Sequence, residues 1–168
     1  MTLAQTLAGY GKYHRDRRNV LTHMVGVPMI VLAMNVLLQR GWSGSILGFE
    51  PTPALGITVG AAVWYLRLDM KAGLLMTALL ILFYTAGAYI AGLSTAAWLG
   101  WGTGLFVVGW ALQFLGHRYE GRKPAFMDDI RGLLHGPLFV AYEALWSMGL
   151  SQRTKREVEA LRQEQGAV

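Results

Sequence analysis

An all-α, polytopic membrane bundle is the fold class this sequence predicts, with about four transmembrane helices and one further re-entrant or interfacial helical segment. Three observations predict it. The chain of 168 residues is 54% hydrophobic and only 15% charged, where a soluble domain carries about 25% charge. Its apolar residues fall in long runs, without the alternating polar faces that a soluble domain needs. Its basic residues flank those runs. If the chain crosses four times, fourteen of its fifteen Lys and Arg residues lie on one side.

The spans follow in order. Val20–Leu38 holds only His23 and Asn35 as strongly polar side chains. Ala54–Leu68 is shorter, with Trp64 and Tyr65 near its end; it could extend back towards Ile46, but Glu50, Pro51 and Pro53 predict a loop or re-entrant start there. Ala72–Ala91 and Ala96–Gly116 contain no formal charge. A helix needs about 20 residues to cross a hydrocarbon core, which the first, third and fourth runs supply and the second barely does. A fifth apolar stretch, Gly132–Leu150, carries His135, Pro137 and Glu143. Crossing there would export the basic tail, so it is expected to pack against the bundle near the interface. Residues 1–150 then form a single membrane domain and 151–168 a charged tail, in which Arg and Lys alternate with Glu157, Glu159 and Glu164 as in a solvated helix. The GxxxG spacings at Gly56/Gly60 and Gly100/Gly104 suggest close helix packing.

The basic residues orient the chain. Lys12, Arg15, Arg17 and Arg18 precede the first span, Arg67 and Lys71 sit between the second and third, and eight more follow the fourth. Arg40 alone falls on the other side. An integral membrane protein with both termini cytoplasmic is expected, in the inner membrane of a bacterium or the endoplasmic reticulum of a eukaryote. The first 19 residues lack the compact apolar run of a cleavable signal peptide. The net charge of +5 is spread beside apolar segments, so anionic lipid headgroups, not nucleic acid, are the expected partner. Without Cys there is no disulfide, thiolate metal site, Fe–S cluster or Cys nucleophile.

The four histidines, His14, His23, His117 and His135, all fall at the basic ends of the spans. Imidazoles gathered at one depth are what a metal site requires, whereas isolated interfacial histidines bond headgroups or helix ends. His14 and His23 stand nine positions apart, on opposite faces of one continuous helix. They converge only if a short lead-in helix bends into the first span, with Asp16 or Asn19 as its N-cap. His117 and Glu120 share a helical face at i,i+3. Glu120 suits a carboxylate ligand, an acceptor orienting an imidazole, or a partner for Arg118 or Arg122. Arg118, Arg122 and Lys123 could neutralise a substrate carboxylate or phosphate, or anchor the fourth span. P-loop, GxSxG and HExxH signatures are absent from the sequence, as are the HxxxH and HxxHH clusters of membrane di-iron enzymes. Any metal centre is therefore mononuclear. A bis-histidine b-type haem carrier using His23 and His117, and a non-enzymatic lipid-binding or scaffold protein, are the competing classes.

Two blocks carry a resemblance. The first runs Tyr13-His14-Arg15-Asp16-Arg17-Arg18-Asn19 and on to His23, Gly26 and Pro28; the second runs Gln113-Phe114-Leu115-Gly116-His117-Arg118-Tyr119-Glu120, then Arg122-Lys123-Pro124-Ala125 and Gly136-Pro137-Leu138-Phe139. Together they resemble the ferrous-iron-dependent 2-hydroxy fatty acid dioxygenases, membrane enzymes of fatty acid alpha-oxidation. The resemblance implies Fe(II) as cofactor, and a long-chain 2-hydroxy fatty acid and O2 as substrates, with a product one carbon shorter. It makes His14, His23 and His117 the candidate metal ligands and Asn19 and Glu120 their polar companions, Glu120 as the catalytic candidate and Asn19 as a substrate-binding one; Arg122 and Lys123, by their charge, are the further candidates for binding the substrate's carboxylate. His135 falls outside its motif. The chain departs from the family's fungal members in having Arg15 in place of a second histidine, and in a His117-to-Glu120 gap one residue shorter.

Overall fold

The computed structural model describes residues 1–41 and 51–166. Among the described residues it is all-helical. Seven α-helices run in order: α1 Leu3–Gly11, α2 Arg17–Leu37, α3 Pro53–Leu68, α4 Met70–Leu93, α5 Thr95–Glu120, α6 Gly132–Ser147 and α7 Gln152–Gly166, with a 3-10 turn at Ala125–Met127. Ile46 and Glu50, where a loop or re-entrant start was expected, lie outside the described residues.

Among the described residues, three helices are long and apolar enough to cross a membrane: α2 with 21 residues, α4 with 24 and α5 with 26. At 1.5 Å per residue they reach about 32, 36 and 39 Å, against a hydrocarbon core of about 30 Å. Much of their apolar surface faces outward; Leu74 and Leu82 of α4 are 60% and 61% exposed. The expected fourth span, α3, has 16 residues, about 24 Å, and counts as a shorter apolar helix. The 16-residue α6 is equally short.

The helices group into two compact units, Met1–Val27 with Ala111–Val168, and Pro28–Trp110. In the second unit α3 packs along α4, and Asp69 is the whole link between them. Asp69 closes α3 and caps α4, its side chain accepting from the Ala72 N–H at 2.9 Å. The two helices touch so closely at Gly73 that a Cβ there would lie 2.6 Å from the Leu66 nitrogen. Asn35 of α2 accepts from the Thr58 hydroxyl of α3 at 3.2 Å, and its backbone lies against Gly87 of α4. The exposed carbonyls at the helix ends are satisfied by side chains. Trp98 Nε1 donates to the Val36 carbonyl at 2.9 Å, while Arg40 bonds the Ala91 carbonyl and the Thr95 hydroxyl. The two GxxxG pairs do not make the close contacts expected of them. A Cβ at Gly56, Gly60, Gly100 or Gly104 would meet nothing within 4 Å; Gly73, Gly87 and Gly102 hold the close approaches instead.

In the first unit α1 begins with a capping box, Thr2 accepting from the Gln5 N–H while the Gln5 side chain accepts from Thr2. It packs against both α6 and α7. The tail was expected to be a solvated helix, and the Arg153–Glu157 pair at i,i+4 fits that. The opposite face of α7 does not, because Val158 is 1% exposed. Here α7 is a packed element whose apolar stripe is one residue wide and escapes a hydropathy reading.

Candidate metal centre

His14 stands just past α1, in the short connection to α2. Its N–H still bonds the Gly11 carbonyl at 3.2 Å, so the connection leaves α1 as a tightening turn. Asp16 then opens α2: its side chain accepts from the Arg18 N–H at 2.8 Å and its carbonyl from the Val20 N–H. This bend is the change of direction that His14 and His23 need in order to meet. Asn19, the other candidate cap, sits in the first turn and has a different task.

The third histidine arrives on the last turn of α5. That helix stops at Glu120 because Gly121 takes φ 66, a left-handed conformation that costs glycine little, and the Arg122 N–H closes back on the His117 carbonyl. α2 and α5 meet at Gly116. A Cβ there would run into Thr22 Oγ1 and Asn19 Oδ1 and lie 3.1 Å from His23 Nδ1. Only a residue without a side chain lets His117 approach His23.

The three rings gather with one nitrogen from each within 4.8 Å of the others. Their centroids are 4.5, 4.9 and 5.3 Å apart, and each pair meets edge-on. His14, His23 and His117 are 4%, 1% and 6% exposed, so water does not reach them freely. His14 Nδ1 bonds the Tyr10 carbonyl at 3.1 Å, and His23 Nδ1 bonds the Asn19 carbonyl at 2.9 Å. A carbonyl only accepts, so each Nδ1 carries the proton and each Nε2 keeps its lone pair. Those two Nε2 atoms, and Nδ1 of His117, are buried without a hydrogen-bond partner. Buried polar atoms are rarely left so, and a cation held among the three rings would satisfy them. Tyr10 stacks on His14 with centroids 4.4 Å apart and fixes its plane. Burial holds the His14 pKa down at about 4, assisted by the charges of His117 and Arg162, which keeps the ring neutral and able to ligate.

The other residues singled out in the sequence are placed as follows. Glu120 does not belong to the three-histidine group. Its carboxylate accepts from the Arg15 N–H at 2.9 and 3.0 Å, the Asp16 N–H at 2.8 Å and Asn19 Nδ2 at 3.1 Å. Through these bonds it fastens the bend carrying His14 to the end of α5. Asn19 is fully buried and bridges Glu120 to the Tyr13 carbonyl through Nδ2, while its own carbonyl holds His23. Arg122 is exposed and donates to the Lys12 carbonyl at 3.3 Å. Lys123 is exposed and pairs with Asp128. Both are engaged with loops. His135 on α6 stands edge-on to Tyr10, 6.3 Å away, outside the group.

A haem between His23 and His117 needs room for the macrocycle between the two rings, and centroids 4.9 Å apart leave none. Sequence reasoning missed Tyr10, Gly116 and Arg162. The Tyr10–His14 spacing of i,i+4 and the Thr2-x-x-Gln5 box were signals for the first of these.

The family model described as 2-hydroxy-palmitic acid dioxygenase Mpo1-like matches residues 1–148. The chain is 30% identical over 162 residues to the 2-hydroxy-palmitic acid dioxygenase MPO1 of Saccharomyces cerevisiae, covering 95% of this chain and 88% of the yeast protein. No solved structure matches it. With a match spanning both histidine blocks and the helices between them, the resemblance first read from those blocks is established: the chain belongs to the Mpo1-like family of 2-hydroxy-palmitic acid dioxygenases.

Proposed function

We propose that the protein is a membrane dioxygenase that uses ferrous iron held by His14, His23 and His117 to cleave long-chain 2-hydroxy fatty acids with O2 to a product one carbon shorter. One observation carries this reading: His14, His23 and His117, all buried, bring one ring nitrogen each within 4.8 Å of the others. The name of the yeast relative supplies the substrate class. An all-imidazole donor set suits a divalent first-row metal, and two of the rings have their tautomer fixed by backbone carbonyls, as metal-ligating histidines do. Ferrous iron would supply a redox-active centre and open positions for O2 and for the hydroxyl and carboxylate of the acid.

The chain's own part is to hold and shield. Tyr10, Phe139 and the neighbouring rings exclude water from His14. Glu120 and Asn19 hold the bend so that His14 faces His23. Membrane location follows from the substrate, because a long acyl chain is itself dissolved in lipid. With α3 as a fourth crossing, the positive-inside rule puts both termini and the histidines on the cytoplasmic side.

The test is O2 consumption by purified protein loaded anaerobically with ferrous iron. Uptake is expected with 2-hydroxypalmitic acid and not with palmitic acid. Equal rates before and after His117→Ala would overturn the proposal.

A further inference from the structure

The three histidines are almost fully enclosed, so a metal ion needs a route to them. A pocket of about 180 Å3 lies between α1, the 3-10 turn and the start of α6, open to solvent on one side. That is room for an ion with several of its waters. Gly9, Tyr10 and Tyr13 line it from the first part of the chain, and Asp128, Asp129 and His135 from the second. His14, His23 and His117 do not line it, but Tyr10 belongs to both places, because its ring also stacks on His14. Tyr10 is 9% exposed, and no hydrogen bond holds its hydroxyl among the described residues.

Charge and chemistry select the occupant. Two carboxylates line the pocket, and no Lys or Arg side chain does. The surrounding unit is rich in Lys and Arg, whose field repels a dication unless acidic groups interrupt it. Lys123 and Arg131 pair with Asp128 and Asp129 from exposed positions; such pairs are weak, and a dication displaces them. Carboxylate oxygens and an imidazole suit a hydrated divalent first-row ion. The Tyr10 ring separates the pocket from His14. Because its hydroxyl is unbonded, rotation of that side chain breaks no hydrogen bond. We propose that this pocket is the entry port for the metal: Asp128, Asp129 and His135 take a divalent cation from solvent, and the Tyr10 side chain swings aside to pass it to His14. The inference rests on the three-histidine centre holding a divalent metal, and not on the reaction performed there.

The test is the rate of cobalt(II) loading, followed by stopped-flow absorption on metal-free, full-length protein in phosphatidylcholine nanodiscs. Cobalt(II) held by the three imidazoles absorbs visible light far more strongly than hydrated cobalt, so the band reads the filling of the centre itself. In the range where wild-type loading rises linearly with cobalt, Asp128→Asn with Asp129→Asn should slow it by about 10-fold, the lower end of what charge steering contributes. The final band should match that of wild type. A purely structural role would lower the final band instead. Gly9→Trp grows into the pocket from a position where a Cβ meets nothing within 4 Å, and should slow loading comparably. Gly9→Ala should keep the wild-type rate.

Unchanged loading by the paired variant or by Gly9→Trp overturns the inference, as does a slowing that comes with a smaller final band. Should the paired variant fail to fold, Gly9→Trp decides alone. Wild type that fills at the expected rate, is slowed by both changes and yet takes up no O2 would refute the dioxygenase reading and leave the port standing. Wild type without a cobalt band would refute the centre and the port together.

Discussion

Glu120 separates two accounts of how the centre works, and its removal can be worked through from the geometry. Three donors converge on one carboxylate: two backbone N–H groups, at Arg15 and Asp16, and the Asn19 amide. A hydrogen bond to a charged acceptor contributes about 1.5–3 kcal/mol when fully enclosed. The carboxylate is only partly buried, and water can replace some of what is lost. About 1 kcal/mol for each donor is therefore the better figure, so Glu120→Ala should destabilise the protein by about 3 kcal/mol. The released bend carries His14, and loss of a group that positions a ligand typically lowers metal affinity by about 10- to 100-fold. At saturating iron His14 can still ligate, so kcat should remain within a few-fold of wild type. The assay is an iron titration under argon, followed by O2 consumption at each iron level and a denaturant titration. Wild-type iron affinity combined with a collapse of kcat would refute the reasoning and make Glu120 a participant in the chemistry.

Gly116→Ala should be destabilising by about 1–3 kcal/mol, as overpacked helix contacts are, and should weaken iron binding because the new methyl lies against Asn19, Thr22 and His23. Gly9→Ala, whose methyl would meet nothing within 4 Å, should be neutral or stabilising by about 0.5–1 kcal/mol; equal effects at the two sites in denaturant titrations would contradict the close approach. Removing the α2–α3 bond by Asn35→Ala should cost about 0.6–2 kcal/mol without changing iron content, measured on the same sample. For the iron-free protein the pH dependence follows from His14, whose folded pKa of about 4 lies below the unfolded value of about 6.5. Between those values the unfolded chain binds a proton that the fold refuses. Stability is thus complete above about pH 6.5 and falls by about 3 kcal/mol as pH drops to about 4; a flat profile of unfolding midpoints across that window would show that His14 is not held neutral by burial.

The long helices were legible because a run of apolar residues flanked by Arg and Lys has one stable solution in a membrane. α2, α4 and α5 fall within a few residues of the expected spans. That His14 and His23 could meet only across a bend was legible from helical geometry, since nine residues of continuous helix put them on opposite faces. What could not be read was everything that depends on a distant partner. Glu120 bonds residues more than 100 positions away, and no local spacing distinguishes a carboxylate aimed at a metal from one aimed at backbone N–H groups. Arg162 looked like a solvated charge because one buried valine on α7 leaves almost no hydropathy signal. The GxxxG pairs misled for a related reason: small residues permit close packing, but only a neighbouring helix at that height makes use of it, and it does so at Gly73, Gly87, Gly102 and Gly116 instead.

The most direct test of the central claim is metal content by elemental analysis of protein purified with ferrous iron, read alongside O2 uptake on 2-hydroxypalmitic acid. Wild type is expected to hold one iron per chain and to consume O2. His14→Ala, His23→Ala and His117→Ala should each lose both properties, while His135→Ala keeps them. Iron bound at full stoichiometry, with undiminished uptake, after loss of any one of the three would contradict the assignment of the centre.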